Sequence, residues 1–174
     1  NALEMGTIRQ TPAFHKDEYF RTCFLHINTQ KYPFNLPKVR QALAMSIDKS
    51  QLGQVMHEAV QPAYSLVPEA LFPGGGNIGP TFNPDKAKLL MNEVGVNPAS
   101  VSQVELLAYA SDENALLTQY LQAQIKKNLG LSIEVQLPEF KTFRTQLELG
   151  SAALFYRCWG ADYADPDSYL NIFM

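Results

Sequence analysis

The sequence predicts an α/β fold. Three observations carry that expectation. From Val101 to Cys158 the apolar pattern changes period in the order strand, helix, strand, helix, strand, which is the order of a sheet with crossover helices. The helical stretches bring their own boundary signals, such as Asn83-Pro84 at a start and Gly95 and Gly130 at stops. Hydrophobic residues make up 46% of the chain and charged ones 18%, enough apolar material for a buried sheet.

The first dozen residues end in Thr11-Pro12 and read as an entry segment, since proline restricts the residue before it toward extended geometry. Tyr19 to Asn28 is short, aromatic and apolar, the composition of a mostly buried strand. A turn-rich bridge, 31–37, leads to a helix over Lys38–Ile47, with Pro37 at its first position and Val39, Ala42, Leu43 and Ile47 as its buried stripe. Asp48 then reads as the N-cap of a second helix, with Gln51 in the capping-box position and Leu52, Val55, Met56 and Ala59 as its apolar face. No period survives from Gln61 to Asn83, where four prolines and Gly74-Gly75-Gly76 mark a long surface connection.

The segment 83–95 is a helix with complete signals: Asn83 caps it, Pro84 opens it, Asp85 suits its dipole, and Gly95 ends it. Residues 101–110 alternate through Val104, Leu106 and Ala108 as a strand. A helix over Asp112–Asn128 turns Leu117, Leu121 and Ile125 to one side and exits at Gly130. Leu131–Leu137 is the next strand, Glu139–Gly150 a short amphipathic helix, and Ala152–Cys158 the last strand. Ligands in such folds are expected at the C-terminal edges of the strands, and the stretch from Trp159 to Tyr169 falls there.

Length and charge narrow the function. A chain of 174 residues suits one domain with a real core. A net charge of -3, with 14 basic residues scattered among 17 acidic ones, supplies no footprint for nucleic acid. Cys23 and Cys158 lie far apart and fit neither a zinc spacing nor a disulfide-dense scaffold. The plain expectation for them is two buried thiols, with a single bridge if their strands are neighbours. No apolar run reaches the roughly 20 residues of a membrane-spanning helix. The chain opens on Asn1 and stops just after its most distinctive motif, so a fragment of a longer protein is expected, with any targeting signal elsewhere.

Catalysis finds little support. His15, His26 and His57 have no metal or nucleophile partner at a useful spacing, and each reads as structural or exposed. Neither a G-x-S-x-G elbow nor a phosphate loop is present, and the three glycines at 74–76 lack a preceding strand. Asp162, Asp165 and Asp167 are spaced like carboxylates of a calcium loop, but the central glycine and distal glutamate do not match. A glycosidase pair is weaker still, because nothing orients a second carboxylate toward Asp162. Two readings of 159–169 stay open on physics alone. One is recognition, in which a carboxylate pairs with an ammonium, an aromatic face covers it, and a strand edge extends its ladder onto a peptide. The other is an Asp/Pro turn after a core strand.

Four separated blocks then carry a resemblance. They are Trp159-Gly160-Ala161-Asp162-Tyr163-Ala164-Asp165-Pro166 with Ser168-Tyr169-Leu170-Asn171; Ile27-Asn28-Thr29-Gln30-Lys31 with Pro33-Phe34 and 39–49; Pro62-Ala63-Tyr64-Ser65 with Pro68; and 84–90. Together they cover nearly the whole chain and resemble the oligopeptide-binding branch of the extracytoplasmic solute-binding proteins of ABC importers, solute-binding family 5. The resemblance implies one lobe of a type II periplasmic-binding-protein-like fold, a mixed central sheet flanked by helices, with residues 1–174 a single lobe of a two-lobed protein. It implies no enzyme and no cofactor. The implied partners are a peptide ligand, the membrane permease subunits and the missing N-terminal lobe, at the periplasm or the outer face of the cytoplasmic membrane. By position, Asp162 would pair with the peptide α-ammonium and Trp159 would lie along the peptide. Main-chain groups of Arg157, Cys158 and Gly160 would bond to its backbone. Arg157 stands one residue nearer the Trp than the family arginine that places ligand carboxylates, and a shift of one reverses a strand face. Arg157 is therefore either a ligand-side or a solvent-side residue. Members of this family also carry dipeptides, murein peptides, nickel chelates or sugars, and a lobe reused for signalling or another interaction is the alternative to transport.

Overall fold

A computed structural model describes residues 5–8, 10–12, 14–15, 20–56, 60–74 and 78–173. The elements run α1 (Met5–Ile8), β1 (Arg21–Ile27), α2 (Pro37–Met45), α3 (Leu52–Val55), α4 (Pro84–Glu93), β2 (Val104–Leu107), α5 (Asp112–Leu129), β3 (Ile133–Gln136), α6 (Phe140–Glu148), β4 (Leu154–Gly160) and α7 (Asp167–Leu170). The α/β class and the mixed sheet flanked by helices are thus observed. The four strands lie in the order β1-β4-β2-β3. β2 is parallel to β3 and to β4, as crossover helices require, while β1 runs antiparallel to β4.

Alternation sorts the strand side chains into two layers. Val104, Leu106, Ile133 and Leu154 meet Val39, Ala42 and Leu43 of α2, Ala87, Leu90 and Met91 of α4, and Leu117, Leu121, Ile125 and Leu129 of α5 in the main core. The opposite face carries a smaller cluster of Leu107, Phe143, Ala152 and Phe155, with Tyr109 and Leu147 at its margin. α6 supplies Phe143 and Leu147 to that cluster, so it covers only part of this face. The uncovered part runs along β4 toward Gly160.

Local signals placed several ends closely. Asn83 Oδ1 accepts the Lys86 N–H at 2.9 Å, Pro84 starts α4, and Gly95 follows it at φ +67°. Asn83→Ala should therefore cost about 1 kcal/mol of stability, seen as a lower urea midpoint with an unchanged slope. α5 is capped by Ser111, whose Oγ accepts the Asn114 N–H at 3.1 Å, and ends on Gly130 in the left-handed region at φ +76°. The buried amide of Asn128 donates to the Ser46 carbonyl at 2.7 Å, tying α5 to the end of α2.

Three expectations change. The second helix is broken: Asp48 caps a 3-10 turn over Lys49–Gln51, α3 is four residues long, and Ala59 lies outside the described residues. The last strand does not end at Cys158 but continues through Trp159 and Gly160, because β1 pairs with it all the way to Arg21↔Gly160. Cys23 and Cys158 are not two thiols. They face each other across the β1–β4 ladder and form a disulfide. The connection 61–83 holds no regular element among its described residues, and Gly75 and Gly76 lie outside them.

Candidate ligand-binding site

The site grows out of the end of β4. Two main-chain bonds bracket the β1–β4 ladder: Asn28 N–H to the Ala153 carbonyl and Ala161 N–H to the Phe20 carbonyl, each at 2.9 Å. Hydrogen-bonded pairs alternate in an antiparallel ladder, so His26–Phe155, Phe24–Arg157 and Thr22–Trp159 are the bonded pairs. The N–H and C=O groups of Phe155, Arg157 and Trp159 therefore turn to β1. Those of Cys158 and Gly160 turn the other way. On that side β2 is paired only at Leu106↔Leu154 and Leu107↔Phe155, so no strand among the described residues reaches Cys158 or Gly160. A short open edge results, with two donors and two acceptors at ladder spacing.

This register corrects one expectation. Arg157 lends no main-chain group to the open edge. Its side chain, though, shares a face with Trp159: the guanidinium lies 5.8 Å from the Phe24 ring centroid and 5.7 Å from that of Trp159. Burial lowers its pKa, and no described residue forms a salt bridge with it. His26, next along the same face, is held below the usual imidazole pKa, first by burial and then by the Arg157 charge. The Cys158 side chain points to the other face and is closed off in its disulfide, so only its main chain is available to a ligand.

Beyond Gly160 the chain folds back on itself. The Trp159 indole N–H donates to the Ser168 carbonyl at 2.8 Å, and the Asp162 N–H donates to Ser168 Oγ at 2.9 Å. Asp165 Oδ1 accepts the Asp167 N–H at 2.8 Å, and Asp167 Oδ2 accepts from the Tyr163 hydroxyl at 2.7 Å and from the Asn171 amide at 2.6 Å. That bond to Asp167 is the main cause of a raised Tyr163 pKa. Asp165 and Asp167 thus brace the turn, as a structural Asp/Pro turn requires. All three carboxylates are exposed, but Asp162 differs from the other two in that its carboxylate makes no hydrogen bond or ion pair with a described residue. Among the described residues, no three His, Cys, Asp or Glu side chains come together as metal ligands.

Trp159, Arg157 and Asp162 are therefore brought together at one end of β4, beside the open edge at Cys158 and Gly160. Of the histidines, His15 is exposed, His26 lies further down β1, and His57 is outside the described residues. A hollow of about 720 Å³ lined by His26, Asn28, Lys31, Tyr32, Leu149 and Phe155 lies at the other end of the same strand pair. Ser168 is the residue that sequence reasoning passed over. Its only signal was membership of the same motif, since the closure of the loop onto Trp159 is not visible locally.

A central strand whose end leaves main-chain groups unpaired by any described strand, flanked by a Trp, an Arg and an unpartnered carboxylate, is an arrangement suited to recognising an extended ligand. The chain belongs to the bacterial extracellular solute-binding proteins, family 5, whose middle-region model matches residues 2–174. The periplasmic oligopeptide-binding protein OppA of Salmonella typhimurium is 31% identical over 163 residues, 89% of this chain and 30% of that protein. The periplasmic murein peptide-binding protein MppA of Escherichia coli is 26% identical over 164 residues, 87% of this chain and 29% of that protein. The oligopeptide-binding protein OppAIV of Borrelia burgdorferi superposes with a TM-score of 0.90 at 24% identity, covering 99% of this chain and 35% of that one, and supports the fold. The chain spans about a third of the length of these relatives.

Proposed function

We propose that the whole protein is the peptide-capturing component of an ABC importer, acting outside the inner membrane, and that this chain is one of its two lobes. The observation that carries the reading is the open β4 edge at Cys158 and Gly160, ending in the exposed carboxylate of Asp162. A peptide laid antiparallel to β4 places its α-ammonium at Asp162. Its first residues pair with the main chain of Gly160 and Cys158, and its side chains cross Trp159. Arg157, on the Trp159 face, offers a partly buried cation to a ligand carboxylate. The peptide-binding names of the two curated relatives agree with this chemistry. The second lobe closes over the other side of the peptide and supplies much of the buried area, so the lobe alone binds weakly. Import then proceeds through the membrane permease subunits.

Titration calorimetry of the full two-lobed protein with tri- to pentapeptides tests the reading. N-acetylating the peptide, or changing Asp162→Ala, should each weaken binding at least tenfold, about 1.4 kcal/mol. Binding that ignores both changes takes Asp162 out of the site. No peptide binding at all redirects the search to nickel chelates, sugars or a protein partner.

A further inference from the structure

We infer that Ser168 is a positioning residue for ligand recognition, fixing Asp162 and Trp159 to a single point. The inference rests on the proposed role of Asp162 and adds a residue to it. Two bonds converge on Ser168: its carbonyl accepts the Trp159 indole N–H at 2.8 Å and its hydroxyl oxygen accepts the Asp162 N–H at 2.9 Å. The residue is only 4% exposed, at the start of α7, so neither bond competes freely with water. Its own N–H donates to the Asp165 carbonyl at 3.1 Å, which anchors Ser168 to the turn it closes.

The arrangement matters because Trp159 and Asp162 are on different structural footings. Trp159 is held in β4 by the ladder to β1, whereas Asp162 lies just past the strand, in a loop. Ser168 links the two. It sets the Asp162 backbone at a fixed place relative to the indole while leaving the carboxylate unpartnered for a ligand. The two bonds use different parts of the residue. The carbonyl stays when the side chain is changed, so Ser168→Ala removes only the hold on Asp162.

The test is a double-mutant cycle on the full-length protein, read as the ratio of Kd for an N-acetylated tripeptide to that for the same free-amine tripeptide. Ser168→Ala should lower this ratio about three- to tenfold, the effect of one net hydrogen bond, with binding of the acetylated peptide unchanged. In an Asp162→Ala background the same substitution should change nothing further. Ser168→Thr, which keeps the hydroxyl, should restore the ratio. A parallel fall in affinity for both peptides would make Ser168 merely structural and overturn the inference, as would a wild-type ratio in Ser168→Ala. Ser168→Ala alone decides the matter if the added methyl of Ser168→Thr disturbs the loop. A wild-type protein that does not distinguish the two peptides refutes the role of Asp162 itself, an outcome separate from failure of Ser168 alone.

Discussion

Replacing Cys23 and Cys158 together by serine lowers the unfolding free energy by about 3–5 kcal/mol. The disulfide closes a loop of 135 residues, and chain-entropy arithmetic for so long a loop gives about 5 kcal/mol at room temperature. Residual structure in the unfolded chain brings the expected value down from that bound. The fold gives a second reason to expect a large loss. Among the described strands β1 lies at the sheet's edge and pairs with β4 alone, and it reaches β4 from the far end of the sequence. The bridge is the one covalent tie between them. Urea unfolding of the 174-residue chain, followed through the emission of its single tryptophan, Trp159, measures the effect with and without a thiol reductant. A difference below about 1 kcal/mol would mean that the ladder and core hold β1 unaided, and that the bridge adds little to the chain-entropy balance.

How much of this could be read from the sequence depends on how local each feature is. Asn83-Pro84 and Gly95 marked α4 almost to the residue, because a cap and a left-handed exit act within one turn. The strand, helix, strand order from β2 to β4 was equally legible. The end of β4 was not. A Trp-Gly pair after Cys158 looks like the start of a turn, and only the distant partner β1 keeps both residues extended. The disulfide depends on the same register, which no spacing between Cys23 and Cys158 reveals. α3 fell short because the turn that Asp48 caps, Lys49–Gln51, is 3-10 rather than α, and the backbone leaves helical geometry at Met56 (φ -99°, ψ 23°).

The candidate site divides along the same line. Asp162 and Trp159 stood out as candidates through their motif, and the structure adds their surroundings. Arg157 could have been assigned to the Trp159 face from their spacing of two, since alternate residues of a strand share a side. What the sequence could not show was which main-chain groups face outward. That follows from the β1–β4 bonding pattern, and it removes the Arg157 backbone from the edge while leaving those of Cys158 and Gly160.

Phe155→Ala should cost about 3–5 kcal/mol, the usual loss for deleting a buried phenyl ring. Phe155 is 1% exposed and packs edge-to-face on Phe143 at 6.3 Å and on His26 at 6.2 Å, contacts that add to simple burial. It stands on the same strand face as Arg157 and Trp159, and the contrast among the three explains how one strand serves both core and site. α6 covers the face at Phe155, through Phe143 and Leu147, and does not cover it at Trp159. Side chains pointing the same way therefore pass from interior to the proposed ligand surface within four residues. Trp159→Ala should accordingly show the opposite balance: a smaller loss in denaturant unfolding, but a fall in peptide affinity of the full-length protein of about tenfold or more, as for a buried aromatic contact at an interface. Equal stability losses in the two variants would contradict the division of this face, because Trp159 would then be as much a part of the core as Phe155.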